Sequence, residues 1–249
     1  MDLDGRVALV TGASGGIGAT IAHALAAARA DVVVGYTGNL AGATSTCARL
    51  KALGRRAEVV QLDQTDPQSA EAAVEAAAGH FGRLDVLINN AAWNIGIVFP
   101  ELDALTVDIW DRIFSTNVRG PFVLARSAAR HMRRQEGGRI VNIASVAGLI
   151  PAGSSIAYAC SKAALIHLTR CLAVALAPAI TVNCIAPGLV EGTRMAERLP
   201  ESVVQSAKEL AVLKRTASAD DVARQVVAFC RSDSVTGQVL TVDAGIHFH

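Results

Sequence analysis

Charge is scarce and balanced in this chain. Only 18% of its 249 residues are charged, and the formal net charge is +1. Nucleic acids and acidic partners are met by clustered cations, so composition gives no case for either. The five cysteines (47, 160, 171, 184 and 230) are odd in number and lack CxxC spacing. They read as buried thiols of a reducing compartment, not as a disulfide framework. No apolar run approaches the ~20 residues that span a bilayer, which argues against a membrane. The first strand begins near Arg6, leaving no room for a signal peptide, and the expected location is cytoplasmic. The six histidines show no metal-ligand spacing, so no metal site is expected. There is no linker-like break and no repeat period.

What the chain does have is apolar residues, at 51%. That is enough for a sizeable core. Short apolar runs alternate with alanine-rich amphipathic stretches. Strands are expected at 7–10, 32–34, 57–62, 84–88, 139–143, 180–185 and 238–242. Helices are expected at 17–28, 41–53, 68–81, 108–114, 121–134, 158–176 and 219–230. Continuous apolar strands alternating with helices imply α/β architecture: a seven-stranded parallel sheet, doubly wound, with helices on both faces. We expect one domain of the Rossmann type over 1–249. Stretches 93–100, 146–156 and 189–213 read as irregular and follow the carboxyl ends of strands, the edge where such sheets bind ligands. The last is the longest and is expected to be a lid.

Three signals carry chemistry. The first strand runs into Thr11-Gly12-Ala13-Ser14-Gly15-Gly16-Ile17-Gly18 and then a helix. Gly12, Gly16 and Gly18 suit the tight turn, the close approach of a pyrophosphate and helix–strand packing. Gly12-Ala13-Ser14-Gly15-Gly16 also fits G-x-S-x-G, but a nucleophile elbow needs earlier strands for its oxyanion hole, and only eleven residues precede Gly12. Second, Tyr158 and Lys162 lie four apart, on one helical face. A neighbouring ammonium is expected to lower the tyrosine pKa and make the phenol a usable acid or base. Third, Ser145 ends an apolar run thirteen residues before Tyr158.

After the second strand the chain reads Val34-Gly35-Tyr36-Thr37-Gly38-Asn39. An acidic residue here would favour NAD and repel a 2′-phosphate. Neither an acid nor a cation is present. Ser14, Thr37 and Asn39 offer neutral hydrogen bonds, which points to NADP, with NAD as the alternative. Asp63 is either an adenine contact or a capping residue before Pro67, a job Asp66 can also do.

Together these residues resemble the short-chain dehydrogenase/reductase family over essentially the whole chain, and its ketoreductase-like and 3-oxoacyl-reductase-like members in particular. The cofactor turn matches. So do Asp85-x-Leu87-x-Asn89-Asn90-Ala91, with Ala92 where glycine is usual, and Asn117-Val118-x-Gly120. Ser145, Tyr158 and Lys162 match the family's catalytic serine and YxxxK pair. Asn183, Pro187-Gly188 and Val242-Asp243-Ala244-Gly245 match its C-terminal motifs.

The resemblance implies roles. Tyr158 would be the general acid for ketone reduction and the base in reverse. Lys162 would lower its pKa and bind the nicotinamide ribose. Ser145 would hydrogen-bond the substrate oxygen, and Asn117 would anchor a water relaying protons to Lys162. Pro187, Gly188, Val190 and Thr193 would hold the nicotinamide carboxamide. Gly12, Ser14, Gly16, Ile17, Gly18, Tyr36, Thr37, Asp63, Gln64, Asn90 and Ala91 would line the rest of the cofactor. The substrate would meet Trp93, Ile95, Ala147, Leu149, Ile150 and Leu189, all apolar. That favours a neutral, fairly hydrophobic ketone or secondary alcohol.

Two alternatives stand beside this reading. A 3-oxoacyl-[acyl-carrier-protein] reductase would dock its carrier on arginines. Gln135-Glu136-Gly137-Gly138 and Ala173-Val174-Ala175-Leu176-Ala177 lack them where such enzymes present them, although Arg130, Arg133, Arg134 and Arg170 lie nearby. A nucleotide-binding regulator without catalysis would lack one of Ser145, Tyr158 or Lys162, and none is missing. The later turns of the 158–176 helix are apolar nearly all round, from which a homotetramer with paired helices is expected.

Overall fold

Val7–Val10 forms the first strand, β1, with all four residues buried. Its side chains alternate. Ala8 and Val10 enter one apolar cluster, Val7 and Leu9 a second on the opposite face. A strand apolar on both faces must be covered on both. The computed structural model, which describes residues 1–193, 196–198 and 200–248, shows how. The order is β1, α1 (Gly16–Ala27), β2 (Asp31–Tyr36), α2 (Leu40–Ala52), β3 (Ala57–Gln61), α3 (Pro67–Phe81) and β4 (Val86–Asn89). There follow α4 (Val107–Phe114), α5 (Gly120–Met132), β5 (Gly138–Ile143), α6 (Ile156–Leu176), β6 (Ile180–Pro187), α7 (Glu201–Leu210), α8 (Ala219–Arg231) and β7 (Val239–Val242). One cluster packs α1, α2 and α8 on the sheet, through Ile21, Leu25, Leu50 and Val226. The other packs α3, α5 and α6, through Val74, Leu124 and Leu172.

The seven strands lie in the order β3-β2-β1-β4-β5-β6-β7, and every pairing is parallel. Leu9 of β1 pairs with Val33 on one side and Leu87 on the other. Chain order reverses between β1 and β4, so the connections leave in opposite directions there. A crevice opens at the carboxyl ends of the strands.

Polar bonds fix where the elements sit. The buried Asp85, entering β4, accepts from Val7 N at 2.9 Å, Arg83 at 2.7 and 2.8 Å and Arg6 at 3.3 Å. Asn89 Nδ2 donates to Asn142 Oδ1 at 2.8 Å, and Asn142 Nδ2 to Thr169 Oγ1 at 2.9 Å. This chain ties β4, β5 and α6 together inside the protein. Asn183 ties β6 to the approach of β7, donating to Val235 O and accepting from Gln238 N.

Three expectations need correction. The two helices expected at 108–114 and 121–134 are one run, because a π-turn at Ser115–Arg119 joins α4 to α5. The 189–213 stretch is not irregular throughout, since α7 lies within it; its residues 194, 195 and 199 lie outside the described residues. Finally, α6 is, by length and composition, apolar enough to cross a membrane, with 21 residues and a mean hydropathy of 1.4. Half of that apolar window is buried inside the fold, however, and it carries Lys162 and Arg170.

Candidate active site

The glycine turn after β1 is held by its neighbours as much as by its own sequence. Thr11 Oγ1 accepts from Asn90 N at 3.0 Å and Ala91 N at 2.9 Å. Asn90 Nδ2 returns bonds to Thr11 O at 2.9 Å and Gly12 O at 3.3 Å. β4 thereby clamps β1's exit. A Cβ on Gly18 would stand 2.3 Å from Gly12 O, and one on Gly12 2.9 Å from Ala91 Cα. Gly12 also has φ +64°, where side chains are strained. Among the described residues no side chain caps α1, and Gly16, Ile17 and Gly18 at its start line the cleft.

Tyr158 and Lys162 are placed by the start of α6. Ser155 caps the helix, its hydroxyl accepting from Tyr158 N at 3.1 Å. Both side chains are buried. Lys162 Nζ donates to Ile143 O, at the end of β5, at 2.8 Å, and lies 5.6 Å from the centre of the Tyr158 ring. Ser145 follows β5 and accepts from Ala147 N at 3.2 Å, with its hydroxyl also beside the Tyr158 phenol. Asn117 sits in the π-turn, buried. Its amide donates to Trp93 O at 3.0 Å and Ser161 Oγ at 3.1 Å, and its carbonyl accepts from Trp93 N at 2.9 Å. Ser161 Oγ donates in turn to Tyr158 O at 2.8 Å. Asn117 thus holds the loop after β4 against the helix that carries Tyr158.

Ser145, Tyr158, Lys162 and the glycine turn meet on one cleft with two chambers, and Asn117 is not among its lining residues. The first, about 580 Å³, is lined by Gly12, Ser14, Ile17, Thr37, Asn90 and Ala91 at one end. Ser145, Tyr158, Lys162, Pro187, Gly188, Leu189, Val190 and Thr193 line its other end. The second, about 570 Å³, shares Gly12, Ser14, Ile17, Asn90, Ala92 and Thr193 with the first. It adds Gly16, Gly18, Trp93 and Ile95. A glycine cradle under open helix amides, continuous with a buried Tyr–Lys pair, fits a nicotinamide dinucleotide.

Residues 6–203 match the short chain dehydrogenase family. This chain is a short-chain dehydrogenase. Versicolorin reductase 1 of Aspergillus parasiticus is 40% identical to it over 263 aligned residues, covering 98% of this chain and 97% of the relative. A short-chain dehydrogenase from Burkholderia cenocepacia, solved in complex with NADP, superposes with a TM-score of 0.88 at 38% identity, over 99% of each chain. A blue fluorescent protein from a metagenomic library, solved with NADPH, superposes with a TM-score of 0.91 at 35% identity over the full length of both. This short-chain dehydrogenase is therefore an NAD(P)-dependent oxidoreductase.

Some expected contacts of this dehydrogenase lie off the cleft walls. Tyr36 ends β2 and packs against the core. Asp63 closes a tight turn, accepting from Thr65 N at 2.9 Å and Thr65 Oγ1 at 2.6 Å, while Asp66 caps α3. Gln64 Nε2 donates to Ala91 O at 2.9 Å and Thr116 O at 2.7 Å, joining the loop after β4 to the π-turn. Among the expected substrate contacts, Trp93, Ile95 and Leu189 line the cleft. Leu149 packs into the core, Ala147 packs against Tyr158, and Ile150 is half-buried beyond them. The lining is also less apolar than expected, because Asn94, Ser154, Thr193 and Glu197 share the second chamber. The sequence reading missed Ser155, Ser161 and Arg112, whose guanidinium lies 4.2 Å over the Trp93 ring. Only Ser155 had a local signal, a serine three residues ahead of Tyr158 at a helix start.

The electrostatics run against one expectation. Burial pushes the Tyr158 phenol up to about 12, and the Ser145 hydroxyl only partly opposes it. Burial pulls Lys162 down to about 8. Removal from water sets the direction of both shifts. Folded Lys162 therefore releases its proton near pH 8, whereas the unfolded chain keeps it until about 10.5. Between those values the unfolded chain binds more protons, so this lysine's destabilising share fades as pH rises. Without cofactor, Lys162→Met should be more stable than the wild type at pH 7, on the order of 1–3 kcal/mol. The gain should close by about pH 10. Urea melts across pH would test this; a less stable variant at pH 7 would mean the bond to Ile143 outweighs the burial cost.

Proposed function

We propose that this enzyme transfers a hydride between NADP(H) and a neutral, fairly hydrophobic ketone or secondary alcohol. The observation that carries the reading is the shared chamber of Ser145, Tyr158, Lys162 and the glycine turn. A bound nicotinamide supplies or accepts the hydride. Tyr158 gives a proton to the carbonyl oxygen during reduction and takes it back during oxidation. Ser145 donates to the same oxygen as charge develops on it. Lys162, one turn along, binds the nicotinamide ribose. Asn117 keeps Trp93 and the Tyr158 helix in register, and belongs to the proton path toward Lys162. The segment 189–213 closes over the cleft as a lid.

The cofactor preference rests on what surrounds the first chamber. Thr37, Gly38 and Asn39 line it, with no carboxylate among them. Thr37 donates to Leu62 O at 2.8 Å, and Asn39 caps α2 by accepting from Gly42 N at 3.0 Å. Ser14 lines the same chamber, where its hydroxyl would meet the ligand. Two structural neighbours contain NADP or NADPH, consistent with this preference.

An assembly reading follows from α6. Its inner face is buried through Ala157, Leu165, Ile166 and Leu172, while Cys160, His167, Cys171 and Val174 face outward. Val174 is 81% exposed, and Phe122 on α5 is 41% exposed. Such a face is stabilised by a second copy across a two-fold axis, and a homotetramer is the proposed state.

Replacing Tyr158 by Phe should lower kcat by at least about 10³-fold while the dissociation constant for NADPH stays unchanged, since only the proton donor is lost. Near-normal turnover would end this mechanism. Steady-state comparison of both cofactors with one ketone should give a higher kcat/KM for NADPH. An NADH advantage would show that the missing cation matters more than the missing carboxylate. Light scattering at micromolar protein should report four copies of the 25.8 kDa chain; an active monomer would refute the assembly.

A further inference from the structure

Both ends of the 189–213 segment rest on one turn near the C-terminus. At the near end, Gly188 N donates to Val242 O at 3.0 Å. A Cβ on Gly188 would stand 2.7 Å from Asp243 Cβ, so the two backbones are in direct contact. At the far end, Val212 N donates to Gly245 O at 3.3 Å and Leu213 N to Ala244 O at 3.1 Å. The turn itself is costly to form. Ala244 has φ +59°, a left-handed conformation that needs support from its surroundings when the residue carries a side chain.

That support comes from two side chains. Asp243 is buried, and its carboxylate accepts from Gly245 N at 3.0 Å. It also accepts from His247 N at 2.8 Å and is paired with His247 Nδ1 at 2.7 Å. The hydrogen bonds hold the Asp243 carboxyl below its ordinary range against the opposing pull of burial. None of these atoms touches the reacting groups, and the cleft wall begins one residue away at Pro187 and Gly188.

We propose that Asp243 and His247 are positioning residues that anchor the lid: they shape the turn from which both of its ends hang, and so set how it closes over cofactor and substrate. The lid function rests on the reading proposed above, while the anchoring itself does not. In this arrangement the imidazole Nδ1 is a hydrogen-bond partner to a fixed carboxylate. An asparagine can present its amide N–H at a similar reach, and an alanine cannot.

The test compares wild type, His247→Ala and His247→Asn in the full chain. His247→Ala should raise the NADPH KM and dissociation constant about five- to tenfold, with kcat within twofold. His247→Asn should return both to within about twofold of wild type. In the absence of cofactor, amide hydrogen exchange over 201–213 should quicken in His247→Ala and not in His247→Asn, while exchange in α8 stays unchanged. Unchanged exchange over 201–213 in His247→Ala would overturn the proposal, as would equal effects of alanine and asparagine. If the wild type bound no nicotinamide dinucleotide, the functional reading would fall, and the exchange comparison would still decide the anchor.

Discussion

Asn89, Asn142 and Thr169 form a hydrogen-bonded chain inside the protein, and the position of α6 follows from it. Buried amides left unpaired cost on the order of 1–3 kcal/mol each. A slip of β5 by one residue would turn Asn142 away from Thr169 and put an apolar side chain in its place. The chain therefore selects one register for β4 and β5, and one rotation for α6. Everything on α6 inherits that rotation, including the facing of Tyr158 and Lys162. Thr169 closes the series by donating to Leu165 O within its own helix, which leaves its hydroxyl proton satisfied.

The cleft is a product of the same parallel sheet. With every strand pointing one way, the loops after β1, β4, β5 and β6 gather on one edge. Residues far apart in sequence become first neighbours there. Thr11 meets Ala91, Asn117 meets Trp93, and Ile143 meets Lys162. The loops are stitched by backbone carbonyls and amides as much as by side chains. The loops after β1, β4 and β5 are thus tied into the fold by bonds within the chain.

This explains which features could be read from the sequence. The strand centres were legible because an apolar run bounded by turn residues is a local signal. The glycine turn was legible because its glycines recur at close spacing between a strand and a helix, although the neighbours that crowd Gly12 are Asn90 and Ala91, far along the chain. The Tyr158–Lys162 pair was legible because helical spacing alone puts both on one face. Its proton affinities were not, since these depend on how deeply both groups are buried, and burial is set by β5, β6 and the loops over them. For the same reason the sequence does not show that Leu149 packs against the cluster of Ala144, Leu165, Ile166 and Cys184, or that Asn94, Ser154 and Glu197 line the cleft. The family pattern points to Asn117, but its grip on Trp93 joins residues 24 apart with no periodic relation.

The π-turn at Ser115–Arg119 explains one further irregularity. A π-turn lodges one more residue per turn than an α-helix, so it resets the angular phase of whatever follows. The stripe of α4 that carries Arg112 and the stripe of α5 that faces the sheet answer to different clocks. Each can be apolar or charged for its own neighbours without compromising the other. Removing a single residue between them would give a smoother helix with better internal bonds. It would also swing Asn117 by roughly a quarter turn, away from the loop it grips. The bulge is an offset worked into the backbone, and local regularity is what the protein gives up to keep it.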